Sequence, residues 1–239
     1  MYITYDDTFE GLLSALYFYY TRPDITFVRR SAALPLIAYS PHITHVQNAQ
    51  KIASRIRRRF GEVAYENIYF AFLSDESDLE QTIIDYLSCL INKNDPYLQG
   101  ISKIFEWQRR ILNTVYYYYG FLRFSEKNHL LYAAYAPDYD TSLLLANYFT
   151  HRLSSAPYIL HDCRRKTMLL HNNHRYLLTE AKEEFLAENL EKEEQYIQAL
   201  FCSYFDAAAI KERTNPRLQR NNFPLKMRTY AFEFDKADK

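Results

Sequence analysis

The run TVYYYYGFLRF, residues 114–124, decides how the chain is read. Four consecutive tyrosines close an apolar segment of helical period that begins near Ile101, and after Gly120 the pattern shortens into aromatic, β-prone runs. Successive helical side chains point around the circumference, so Tyr116, Tyr117, Tyr118 and Tyr119 cannot all line one platform. Gly120 is the expected helix end, with Arg123 on the strand that follows. The Gly-Phe pair and the spaced Phe124 superficially match an RNA-recognition octamer, but Leu122 and Arg123 break that pattern and core packing is the expected role.

Working outward toward the start, the first half reads mainly helical. Asp7 with Glu10, Thr44 with Gln47, and Ser77 with Glu80 give capping-box spacings ahead of apolar stripes, and Gly61 and Pro96 provide stops. Working toward the end, LLYAAYA, PYILHD, KTMLLH and RYLLT read as strands, with Asn172 and Asn173 as a hairpin turn and Asp140 or Thr141 capping an intervening helix. Residues 180–206 return to a long helix, followed by a polar basic tail. The expected class is α+β: a helical N-terminal region over 1–118, then over 119–239 an antiparallel sheet with one packed helix, a long helix and the tail, the two regions packing as one compact unit.

The chain has 239 residues, enough for one substantial core or two small ones. Only four glycines are present and neither dinucleotide nor P-loop spacing occurs, which excludes Rossmann and P-loop enzymes. Cys89, Cys163 and Cys202 lie far apart with no CxxC, which excludes zinc ribbons and fits reduced thiols. No signal segment and no membrane-length apolar run is evident, so a soluble cytoplasmic protein without membrane contact is expected.

Net charge is +0, which argues against a generic nucleic-acid coat, yet the charges are separated along the chain. Residues 180–194 are strongly acidic, whereas basic residues gather at Lys51, Arg55, Arg57, Arg58 and Arg59, at Arg164, Arg165 and Lys166, and at Lys211, Arg213, Arg217, Arg220, Lys226 and Arg228. Arginine grips phosphate bidentately, so Arg123, Arg164, Arg165, Lys166, Arg213, Arg217 and Arg220 are the candidate nucleic-acid contacts. Asp138 and Asp140 with Asp162 can be weighed as acid and base, Cys163 beside His161 and two arginines as an activated thiol, and the pairs His42/His45 and His171/His174 as metal ligands. Turn and cap roles suit them better, and neither a metal nor another cofactor is expected. No catalytic set is assembled, so the enzyme question stays open and leans to no.

The segments YDDTFEGLLSALYFYY at the start, GFLRF, APDYD, NYFTHR and HDCRRK in the middle, and YFDAAAIKERTNPRLQRNNFP near the end, resemble in order a bacterial family of unknown function linked to DNA metabolism and DNA repair. Its genes accompany a radical-SAM protein, and a similar domain is sometimes fused to a uracil-DNA-glycosylase-like domain. The resemblance implies a DNA-acting accessory protein whose partner is a radical-SAM iron-sulfur protein. The alternatives are a scaffold for that enzyme without DNA contact, or an uncharacterised DNA-processing enzyme. It marks Asp138, Arg152, Asp162, Asn215 and Gln219 as motif positions, alongside Gly11, Arg123 and Arg165. Departures are the tyrosines before Gly120, where the family carries Glu and His, and a C-terminus without the family's tryptophan.

Overall fold

A computed structural model describes residues 1–22, 24–92, 98–154, 156–173, 175–181 and 191–234, with the backbone alone at 98–100 and 211. The fold is a mixture of helix and sheet of the α+β kind. The chain divides into two compact units, Met1–Ile111 and Leu112–Lys239.

The first unit is built on β1 (Tyr2–Tyr5), α1 (Phe9–Thr21), β2 (Thr26–Arg29), β3 (Ser40–Pro41), α2 (Val46–Phe60), α3 (Glu62–Leu73) and α4 (Leu79–Ile91). Its strands form a parallel sheet in the order β2-β1-β3, with Tyr2 opposite Thr26 and Tyr5 opposite Arg29. The reading of a mainly helical first half missed this sheet, because strands of 4, 4 and 2 residues are too short to display alternation. The capping positions shift as well. Thr8, not Asp7, caps α1 by accepting from the Gly11 amide, while Asp6 lies over the helix start so closely that a Cβ on Gly11 would meet its Oδ1 at 1.9 Å. Glu80 caps nothing. It is drawn into the core, where it accepts from the Tyr5 hydroxyl at 2.9 Å and the Arg29 amide at 3.1 Å, and burial raises its carboxyl above the ordinary range.

The second unit begins within the last turns of α5 (Leu98–Phe121). It continues through β4 (Ser125–Lys127), β5 (Leu130–Tyr135), α6 (Ser142–Arg152), β6 (Tyr158–Asp162), β7 (Thr167–Asn172), β8 (Arg175–Glu180), α7 (Lys192–Ala208), α8 (Pro216–Asn222) and α9 (Leu225–Arg228). The five strands lie in sequence order, but β5 and β6 run parallel while the other pairs are antiparallel. The sheet is therefore mixed, correcting the antiparallel expectation. A parallel neighbour needs a crossover, and α6 provides it, burying Leu145, Ala146 and Phe149. At the junction, α5 runs through Gly120 to Phe121 and the first strand starts only at Ser125, so Arg123 sits in a connection and not on a strand. The hairpin turn holds Asn173 at φ 46, while His174 lies outside the described residues, as do 182–190 of the expected long helix. The tail carries α8 and α9 where little periodicity is visible in the sequence.

Of the four tyrosines, Tyr118 is buried and Tyr116 is 76% exposed, as the circumferential geometry requires. Buried tyrosines elsewhere each find a partner for the hydroxyl: Tyr86 is within 2.9 Å of the Asn67 amide, Tyr135 bonds with Ser142 at 2.9 Å, and Tyr158 donates to the Ala146 carbonyl at 2.8 Å. Burial pushes these hydroxyls up, Tyr158 to about 12.

Candidate functional site

Because β5 and β6 are parallel and in register from Leu131↔Tyr158 to Tyr135↔Asp162, the loops that follow them leave the same end of the sheet. That topology brings APDYD and HDCRRK together. Asp162, with a fully buried side chain, accepts at Oδ1 from the Arg164 and Arg165 amides, both at 3.0 Å, and at Oδ2 from the Arg165 guanidinium at 3.0 Å. Arg165, 17% exposed, also donates to the carbonyls of Pro137 at 3.3 Å and Asp138 at 3.1 Å. One arginine thus ties the two loops to each other, and the buried carboxylate meets both charged and amide donors. Outside this clamp the exposed Asp138 carboxylate takes Arg164 at 3.2 Å and the ammonium of Lys226. Lys166, held at φ 54 in the turn, is exposed and makes no ion pair among the described residues.

Beside the clamp, His161 and Cys163 gain two tyrosine partners missed by the sequence reading. The Tyr132 hydroxyl sits 2.6 Å from His161 Nδ1, Cys163 Sγ is 3.6 Å from the same nitrogen, and Tyr230 bonds the thiol. Desolvation lowers the His161 pKa and raises that of Cys163, the direction opposite to an activated thiolate. Tyr132 already occupies the nitrogen a nucleophile would use. His42 is likewise held as a neutral core histidine, 2.9 Å from the Ser14 hydroxyl, and burial lowers its pKa. Among the described residues no group of three or more His, Cys, Asp or Glu could hold a metal ion.

The tail returns to the core after α8. Phe223 stacks on Phe121 at 4.0 Å, Phe232 packs against Phe201, and Phe234 packs against Phe205 and Phe223. Arg123 donates from Nε at 2.9 Å and from a terminal nitrogen at 2.6 Å to Glu233, whose side chain is 1% exposed. Between Cys202, buried on α7, and this aromatic latch, residues 209–222 form an excursion in which every described side chain is exposed. Asn215 caps α8 by accepting from the Leu218 amide at 3.0 Å, with Pro216 in the first turn, which explains the Asn-Pro pair of the motif. Gln219 is exposed, and Arg213, Arg217 and Arg220 are exposed without an ion pair among the described residues. Arg152 lies apart at the end of α6, its guanidinium 2.8 Å from the Tyr148 hydroxyl.

The candidate cations therefore fall into two groups: Arg123, Arg164 and Arg165 engage carboxylates or carbonyls of the chain, whereas Lys166, Arg213, Arg217 and Arg220 make no ion pair among the described residues. Glu233 went unmarked because its partner lies 110 residues away in sequence, and the pairing of Lys226 with Asp138, 88 residues away, was equally invisible there.

No helix among the described residues is long and apolar enough to cross a membrane. No curated protein and no solved structure matches the chain. The sequence family described as a domain of unknown function, DUF4130, matches residues 77–233, a span that holds the clamp, the latch and the exposed arm. With more than half of its length matched, the chain belongs to the DUF4130 family.

Proposed function

We propose that this chain is a nucleic-acid-binding accessory protein of DNA metabolism or repair that works beside a radical-SAM iron-sulfur protein and performs no chemistry of its own. The observation that carries this reading is the arm: three arginines, Arg213, Arg217 and Arg220, held out on an excursion anchored at both ends and not neutralised by carboxylates among the described residues. Cations kept free of internal partners are suited to phosphates, which position a nucleic acid without reading its sequence. The resemblance to DNA-metabolism proteins supplies the choice of DNA and of the partner. Against catalysis stand Asp162, whose oxygens are taken up by the clamp, and Asp138, which is already paired with two cations.

An electrophoretic titration of the full chain with a short DNA tests the proposal. Binding should weaken between about 50 and 200 mM salt with a slope of roughly −0.9 per phosphate contact, and the R213Q/R217Q/R220Q variant should show a shallower slope. Binding that is absent or indifferent to salt overturns it.

A second reading, a scaffold that docks the radical-SAM protein without touching DNA, is favoured by one feature. Helix α7 exposes Tyr196, Ile197, Leu200 and Tyr204 at helical spacing, a composition typical of interfaces. Recovery of the partner by the full chain in nuclease-treated extract, and its loss in L200E/Y204E, distinguishes this reading.

A further inference from the structure

Helix α2 belongs to the first unit and contains no acidic residue anywhere along VQNAQKIASRIRRRF. Its buried residues Ala49, Ile52, Ala53 and Ile56 form one face, and Lys51, Arg55 and Arg58 stand on the exposed side. None of these three makes an ion pair or hydrogen bond through its side chain among the described residues. Cations in a last helical turn complement the helix dipole, which accounts for Arg57 to Arg59. It does not account for Lys51 and Arg55, a like-charge pair four residues apart that destabilises the helix with no acidic residue on the same helix to relieve it. Arg57 is moreover used internally, bonded to Glu62 and stacked at 3.6 Å over Tyr65.

These side chains line a groove of about 580 Å³ together with Gln47, Gln50 and Tyr17, and no acidic residue enters its wall. We propose that this groove binds a single strand of nucleic acid, its phosphates on Lys51, Arg55 and Arg58 and a base against Tyr17. From Lys51 to Arg58 the helix rises ~10 Å, the span of two or three consecutive phosphates. The volume is in the range of a small-ligand pocket, roughly 300–1,000 Å³. A tyrosine ring beside a row of cations is the arrangement that holds single strands, the ring stacking a base and the cations tracking the backbone. An anionic bilayer fits less well, because the apolar face of α2 is packed in the core and has nothing to insert. The proposal uses other residues than the arm and stands or falls separately from it.

Fluorescence anisotropy of the full chain with a labelled mixed-sequence single-stranded oligonucleotide tests it, with a duplex of equal length, inorganic polyphosphate and phosphatidylserine vesicles as competitors. K51Q/R55Q/R58Q should bind the oligonucleotide about tenfold more weakly, with a salt slope shallower by about 2. Tyr17→Ala should lose about fivefold and Tyr17→Phe nothing. The substituted cations are exposed, so circular dichroism should be unchanged. Should the triple variant melt early, Arg55→Gln alone carries the test, with a loss of about threefold. Wild-type affinity in the α2 variants overturns the proposal, as does stronger competition by duplex, by polyphosphate or by vesicles. R213Q/R217Q/R220Q in the same assay reports on the arm: if only that variant weakens binding, the groove is excluded and the arm remains; if only the α2 variant does, the reverse holds.

Discussion

HDCRRK and the tail RTNPRLQR are similarly basic, and the fold treats them in opposite ways. In the first, a parallel strand pair delivers two loops to one sheet end, and Arg165 is taken up by Asp162 and by the carbonyls of Pro137 and Asp138. In the second, the chain makes a short helix between two anchors, and Arg213, Arg217 and Arg220 make no ion pair among the described residues. The difference lies in what topology brings to the cation. A basic cluster becomes a brace where carboxylates and carbonyls converge on it, and stays available for a ligand where they do not.

That contrast can be broken most directly at Asp162. Asp162→Ala leaves two amides and a largely buried guanidinium without their acceptor, and should cost about 3–5 kcal/mol in urea unfolding of the full chain. Asp162→Asn keeps an acceptor for the amides and should cost less than half as much. If both leave the midpoint unchanged, the clamp is no brace. Next in size, Arg123→Gln should cost about 1.5–3 kcal/mol, because it strips the charged donor from buried Glu233 and loosens the aromatic latch. Proteolysis of the tail should accelerate in parallel.

A smaller effect is expected from pH. Burial lowers the His161 pKa below 6.5, so the unfolded chain takes up the proton first. The stabilisation is present above about pH 6.5 and is lost as pH falls below it, and His161→Gln should flatten that part of the urea midpoint against pH. Smallest for stability, R213Q/R217Q/R220Q should leave the midpoint where it is and change only salt-dependent binding. A large loss of stability in that variant would mean the arm is a second brace and would erase the contrast.

Much of the second unit was legible locally. β6, β7 and β8 fall on PYILHD, KTMLLH and RYLLT, because runs of five or six β-prone residues bounded by turn residues leave few other readings. Glycine after Arg58, Arg59 and Phe60 likewise stops α2, with Gly61 at φ 89. What escaped was non-local. The three-stranded sheet joins residues 2–5 to 26–29 and 40–41, and nothing within any of these short pieces states the pairing. Ser77 and Glu80 have cap spacing, yet a buried Tyr5 hydroxyl and the Arg29 amide claim the carboxylate. The candidate positions show the same division. That Arg123, Arg165 and Arg217 are basic and motif-like is plain in the sequence, whereas Glu233 for Arg123 and the parallel register for Arg165 exist only after folding.

The tyrosines met first in the sequence carry a further consequence. Hydroxyls sealed into the interior at Tyr5, Tyr118, Tyr132 and Tyr135 are held above the range reached by Tyr158 and Tyr230, themselves at about 12. Above pH 10 the unfolded chain sheds phenolic protons that the folded chain retains, so each such ring draws the equilibrium toward unfolding as alkalinity increases. Alkaline denaturation should therefore be cooperative, with the tyrosinate absorbance of these desolvated rings appearing in one step together with loss of structure, and an interior stapled by phenols becomes one that strong base dissolves.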